Sequence, residues 1–333
     1  MLKRLFAAAV AVGFGLALAA PSSAAPADAN YFKGKTVTYI VATGAGGGYD
    51  TYGRLIARYM QKYLPGSRFV VKNVPGAGHI VGANTISAAR PDGLTIGTFN
   101  TGLVYDQLLK RPGVRFDLTK MSWIGKASND TRALMVSKKS PYKSFDEILQ
   151  SKTPVKFAAS GIGSAAYIET RILQDALHVP IQIVPGYDGN EAELAMLRNE
   201  VVAEIGTANS LETFVANGNG YFALTISETT DLPTVPKASA YAKDDRAKKL
   251  VALVSTLSHI GRLTVGPPNI PPAQLATLRE ALTAALKDPD FLAEAKKLDL
   301  PIVPATGAQV DTLIRQILNQ SPDTIAYLTH AAS

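Results

Sequence analysis

Apolar and polar positions along the chain alternate between two periods, and one unit recurs. A short β-like run leads into a glycine turn, and a helix with an apolar stripe follows. In the first unit, "KTVTYIVA" is rich in β-branched residues, and the glycines Gly44, Gly46, Gly47 and Gly48 follow it. Behind Asp50, the spacing of Leu55, Ile56, Tyr59, Met60, Tyr63 and Leu64 predicts a helix with one buried face. In the second, "SRFVVKNV" passes through Pro75–Gly78 into a helix over His79 to Ala89. In the third, "PVKFAAS" passes through Gly161–Ser164 into a stripe of Tyr167, Ile168, Ile172, Leu173 and Leu177.

The remaining pattern predicts a strand over Leu94 to Phe99, another in "RALMVSKKSP", and a short helix in "SFDEILQSK". Ser144 caps that helix, with Glu147 at the capping-box position. "VPIQIVPGYDGN" reads as a strand entering a turn, Glu191 to Arg198 as a helix, and "VVAEIGTANS" as a strand. "IPPAQLATLREALTAALKDPDF" carries prolines at a helix start, and "AQVDTLIRQILN" reads as the last helix. Strands alternating with helices predict parallel sheets covered by helices. The strands near Leu134 and Val254 read as crossovers between two lobes. Both ends of the mature chain then fall in one lobe and the middle in the other. Ligands in open α/β sheets sit at the carboxyl ends of strands, where all three glycine turns lie, so the expected site is the cleft between lobes.

The N-terminus is excluded from the fold. Lys3 and Arg4 precede an apolar stretch from Leu5 to Ala20 and the small residues "PSSAAPA", which together predict a signal peptide over 1–27 cut after Ala24 or Ala27. The apolar stretch is shorter than the ~20 residues a membrane anchor needs. Absence of cysteine removes disulfides, thiol catalysis, thiolate metal sites and a lipid anchor. The 333 residues, 47% hydrophobic, suffice for about two domains of roughly 150 residues. The net charge of +7 is scattered and its longest run, "AKDDRAKK", mixes signs, so a nucleic-acid surface is not expected.

Catalytic motifs fail one by one. No Lys-Ser or Lys-Thr follows a glycine turn in P-loop register. "GIGSAA" matches the dinucleotide pattern, but the next strand ends "IQIVPG" without the acid that would hold a ribose. His79, His178, His259 and His330 have no metal-ligand spacing, no G-x-S-x-G elbow exists, and the carboxylates show no paired spacing. No catalytic residue, metal or cofactor is expected. What remains is capture of an anion. A helix start leaves about four N–H groups unpaired, and its dipole adds roughly 0.3–1 kcal/mol for a negative group. Glycine turns let those amides approach a ligand, with Thr43 and Ser164 as hydroxyl donors. Asp50 suits a helix cap, with a ligand contact as the alternative. His79 opens a helix and either faces the ligand or is a half-buried polar residue.

These blocks resemble the Bug/TctC family, the extracytoplasmic solute receptors of tripartite tricarboxylate transporters. "GAGGGYDTYGRLIA" resembles its P-P-G-G-x-x-D-x-x-A-R signature. "VVKNVPGAGHIVGANTISAARPDGLTIG" resembles V-x-N-x-x-G-A-G-G-x-I-G followed by P-D-G-x-T, and "VKFAASGIGSAAYIETRIL" resembles the third turn and helix. The resemblance spans the mature chain. It implies an α/β two-lobed periplasmic binding protein of the type 2 Venus flytrap plan, each lobe a sheet covered by helices, with a hinge of two crossovers. Lobe 1 would be residues 28–130 and 254–333, and lobe 2 residues 131–253. It implies a monomer that closes on a mono- or dicarboxylate and serves membrane permease subunits. Carried over by position, the ligand-binding residues are Thr43, Gly44, Ala45, Gly46, Gly47, Gly48 and Tyr49, then Ser160, Gly161, Ile162, Gly163, Ser164 and Ala165, with Tyr187 and Asp188 from "YDGN". Ala42-Thr43, Tyr49 and Glu204 depart from the family pattern, so the ligand's identity does not carry over. Tyr49 can stack on a flat ligand or pack on its loop. Output to a sensor kinase, or a nucleotide-dependent enzyme, are the alternative readings.

Overall fold

The computed structural model describes residues 30–230 and 232–332, so the expected signal peptide lies outside the described residues. The strands are β1 (Thr36–Val41), β2 (Arg68–Asn73), β3 (Thr95–Thr98), β4 (Ser122–Lys126), β5 (Arg132–Ser137) and β6 (Val155–Ala159). They continue with β7 (Ile181–Pro185), β8 (Ala203–Thr207), β9 (Gly220–Thr225), β10 (Leu263–Gly266) and β11 (Ala305–Thr306). They form two sheets with the orders β2-β1-β3-β10-β4-β11 and β7-β6-β8-β5-β9.

The two sheets repeat one plan. β1 pairs in parallel with β2 and β3, and β6 with β7 and β8. Each parallel trio is then closed by an antiparallel strand, β10 in the first sheet and β5 in the second. The sheets are therefore mixed, where helix–strand alternation alone predicted parallel ones. The antiparallel members arise because the chain crosses between sheets twice, just before β5 and again before β10. Helices cover both sheets, which gives the two-lobed α/β architecture.

Burial follows the patterns that predicted the elements. The helix Gly48–Lys62 buries Tyr49, Tyr52, Leu55, Ile56 and Met60 at spacings of three and four. Tyr59 and Tyr63, at the edge of that stripe, bond Glu294 and Asp288 of the helix region that follows Leu286. The helix Ala165–Leu177 buries Ile168, Ile172 and Leu173 against the second sheet. The Ser144 oxygen accepts the Glu147 N–H as predicted, while the Glu147 carboxylate reaches back to the Lys143 N–H.

Two expectations are corrected. Val254 lies in the helix Asp245–Leu257, and the crossover strand is β10. The apolar positions Leu250, Val251, Leu253, Val254 and Leu257 follow helical spacing, and all are buried. A further helix, Pro322–Ala332, follows the one expected to be last. It packs against the helices Ala165–Leu177 and Asp245–Leu257, and its Leu328 is wholly buried in their core. Leu328→Ala should cost about 2–5 kcal/mol in chemical denaturation. A loss below about 0.5 kcal/mol, the range of surface substitutions, would mean that this helix is not part of the core.

Candidate functional site

The glycine turn after β1 is built to let backbone approach backbone. Gly46 has φ of 85°, a left-handed conformation that side chains rarely adopt. A Cβ on Gly47 would lie 3.1 Å from Gly189 Cα, and one on Gly48 would strike Ser210 and the Arg262 guanidinium. Asp50 sits behind the turn. It accepts the Gly46 N–H at 3.0 Å and Asn73 Nδ2 at 2.9 Å, and pairs with Arg54 at 2.9 Å. Burial pushes its carboxyl up, but these bonds outweigh it and hold the pKa below the ordinary value. Asp50 therefore shapes the loop, and the N–H groups of Gly48 and Tyr49 open the helix without intrahelical acceptors.

Opposite lies the turn after β7. Asp188 Oδ2 accepts the Gly44 N–H at 2.8 Å, so a carboxylate of one lobe holds an amide of the other. Its Oδ1 accepts the Gly189 N–H at 2.9 Å and lies 3.5 Å from His79 Nε2. Burial pushes Asp188 up, yet His79 and the two N–H groups hold its pKa below the ordinary value. His79 is 4% exposed, has φ of 80°, and neither ring nitrogen has a hydrogen-bond partner. Left-handed non-glycine residues concentrate where surrounding structure enforces them. Here Gly78 packs on the backbone of Ile162–Ser164, which fixes the turn. Ser164 caps its helix by accepting the Tyr167 N–H at 3.2 Å, which leaves its hydroxyl hydrogen to donate.

Between these turns lies a cavity of about 540 Å³. Of the residues expected at the site, Thr43, Gly46, Gly47, Gly48, Tyr49, His79, Ser160, Ser164 and Asp188 line it. Gly44, Ala45, Gly161, Ile162, Gly163, Ala165 and Tyr187 do not. Gly44 is taken by Asp188, Ile162 is 59% exposed, and the Tyr187 hydroxyl turns to Glu200. Of the Tyr49 side chain, the ring alone is left for the cavity. Its hydroxyl donates to Asp130 at 2.5 Å, and burial, then Asp130, push its pKa well up.

Sequence reasoning missed the two buried arginines of this cavity. Arg262, 1% exposed, lies with its guanidinium carbon 4.2 Å from the centre of the Tyr49 ring. Its Nη2 donates to Ser210 Oγ at 2.7 Å and Asn209 Oδ1 at 3.2 Å, while Nε lies 3.5 Å from Asp130. Its Nη1 has no hydrogen-bond partner. Arg132 donates to Glu169 from Nε and Nη2, at 2.8 and 2.5 Å, and from Nη1 to Thr207 at 3.0 Å. Each is a lone basic residue just before or at the start of an apolar strand, a position no motif marks. Among the described residues no group of three or more His, Asp and Glu side chains is placed to hold a metal.

Contacts between the lobes thus include Asp188 with Gly44, Arg262 with Ser210, Asn209 with Tyr52, and Gly78 with Ile162–Ser164. Asp188→Ala removes a charge-assisted bond of about 1.5–3 kcal/mol, enough to shift an open–closed equilibrium about tenfold or more. Small-angle scattering should show a larger radius of gyration for the ligand-free variant. Because the Asp188 pKa is depressed, its contribution is present above the ordinary value of 3.8 and lost as pH falls through the lower folded value. Wild type should therefore open on acidification. An unchanged radius in the variant would contradict the clamp.

The family model described as a tripartite tricarboxylate transporter family receptor matches residues 53–329. A UPF0065 protein from the ttuE–ttuC' intergenic region of Agrobacterium vitis is 28% identical over 272 residues, 78% of this chain and 73% of its own. The periplasmic binding protein BugD superposes with a TM-score of 0.75 at 21% identity, over 89% of this chain and 97% of its own. MatC from Rhodopseudomonas palustris, solved with bound malate, gives 0.71 at 22% identity, over 90% and 99%. At such identities the two structures establish the fold, and the match to the family model establishes the family. The chain belongs to the TctC family of tripartite tricarboxylate transporter receptors.

Proposed function

We propose that this chain is an exported, non-catalytic receptor that captures a small organic carboxylate by lobe closure and presents it to membrane permease subunits. The observation that carries the reading is the convergence of three helix starts on one cavity. Gly48 and Tyr49, Ser164 and Ala166, and Asn209 and Ser210 all line it, with the buried Arg262 beside Gly48. Unpaired N–H groups at helix starts favour a negative group, and the spare Arg262 Nη1 donor adds a charge-assisted partner. The malate bound to MatC is a carboxylate of the same class. Among the described residues no helix is long and apolar enough to cross a membrane.

The energetics suit a receptor. Charge-assisted bonds of about 1.5–3 kcal/mol each, a few from each lobe, reach roughly −8 kcal/mol after ordering costs, or micromolar affinity. The ligand drives closure only through its preference for the closed arrangement. A thermal-shift panel of mono- and dicarboxylates, followed by calorimetry, tests this. Ser164→Ala should weaken binding of the best acid about tenfold, on the ~1.5 kcal/mol scale of one such bond. The helix it caps loses about 1 kcal/mol, so the ligand-free melting temperature serves as control. Unchanged affinity would remove Ser164 from the site, and stabilisation by nucleotides instead of carboxylates would contradict the reading.

A further inference from the structure

The cavity lining carries groups of opposite character. The start of the helix at Gly48 and Tyr49 lies beside the Arg262 guanidinium. Glu193 of the helix Glu191–Leu197 and Glu204 of β8 line the cavity too, Glu204 set roughly 10 Å back along its strand from Thr207. Glu204 is flanked across the sheet by apolar Met135 and Ala158, and its Oε1 is buried with no hydrogen-bond partner. On the same face, Gly206 has no side chain, and a Cβ there would press on Leu211 at 2.8 Å. The basic group within electrostatic reach of Glu204 is Arg132, and that guanidinium is already committed to Glu169 and Thr207. Burial, reinforced by Glu193, pushes the Glu204 carboxyl well up, and burial pushes Glu193 up as well. Two carboxyls in a partly buried wall thus lack a counterion, an arrangement that disfavours negative charge until a cation joins them.

We propose that the cavity selects an acid carrying a protonated amine, its carboxylate at Gly48, Tyr49 and Arg262 and its ammonium at Glu193 and Glu204. This rests on the carboxylate-receptor reading above and names the ligand class of the same site. An ammonium presents three donors and no acceptor. It satisfies the orphaned Glu204 oxygen and lets both carboxyls ionise, whereas a diacid brings a further negative group against them. The cavity, at about 540 Å³, has room for a short linear chain.

The test compares matched acids by thermal shift and calorimetry at neutral pH. 4-Aminobutanoate, 5-aminopentanoate and 6-aminohexanoate are set against butanedioate, pentanedioate and hexanedioate. At the best chain length the aminated acid should bind about tenfold or more tightly than the diacid. Glu204→Gln should abolish that preference and Glu193→Gln should reduce it, with the ligand-free melting temperature unchanged or raised. A diacid binding as tightly as its aminated partner, or a preference that survives both substitutions, overturns the inference and leaves the carboxylate reading standing. Binding of neither series, in a panel extended to other mono- and dicarboxylates, overturns both.

Discussion

One carboxylate of the second lobe holds an amide of the first, and the rest of the cleft is arranged around that contact. The Asp188–Gly44 bond at 2.8 Å forms only if the turns after β1 and β7 meet backbone to backbone. Glycine at 46, 47 and 48 removes the side chains that would keep them apart. Asp50 then holds the first turn from behind through the Gly46 N–H. The glycines therefore serve closure as well as ligand contact. Any side chain that separated the turns would weaken both at once.

The buried arginines work under a stricter constraint. A guanidinium removed from water is costly unless a counterion and further acceptors meet it. Arg132 is neutralised by Glu169, with Tyr105 holding that carboxylate's other oxygen at 3.4 Å. Arg262 faces Asp130, whose second oxygen is fixed by Tyr49, and rests on the faces of Tyr49 and Tyr52. These pairs lie at and next to the crossover before β5, where the chain passes between lobes. Charge, crossover and cavity are one network there. Arg262 keeps a spare donor because its partners satisfy only part of its fork.

The glycine turns were legible because a strand, a glycine cluster and an amphipathic helix leave a local signature. The turn around Asp50 was legible too, although Asp50 acts at the third helical position and binds the loop, with Gly47 as the cap. Tyr49 stands out in the sequence as a departure from the family pattern. Its setting depends on Asp130, 81 residues away, and sequence spacing cannot encode that. Arg262 depends likewise on Ser210, 52 residues distant. The segment around Val254 was misread because a short apolar run fits a strand or a buried helix equally well, and packing against the helix Ala165–Leu177 settles it. Mixed sheets were invisible for the same reason, since local alternation does not report the direction of a strand that returns from the other lobe.

A crystal structure of the protein with its tightest-binding acid tests the account most directly. Closed lobes are expected, with one carboxylate within hydrogen-bond distance of the Gly48 or Tyr49 N–H and of Ser164 Oγ or Arg262. An acid seated outside this cavity, or inside it with those groups unused, would contradict it.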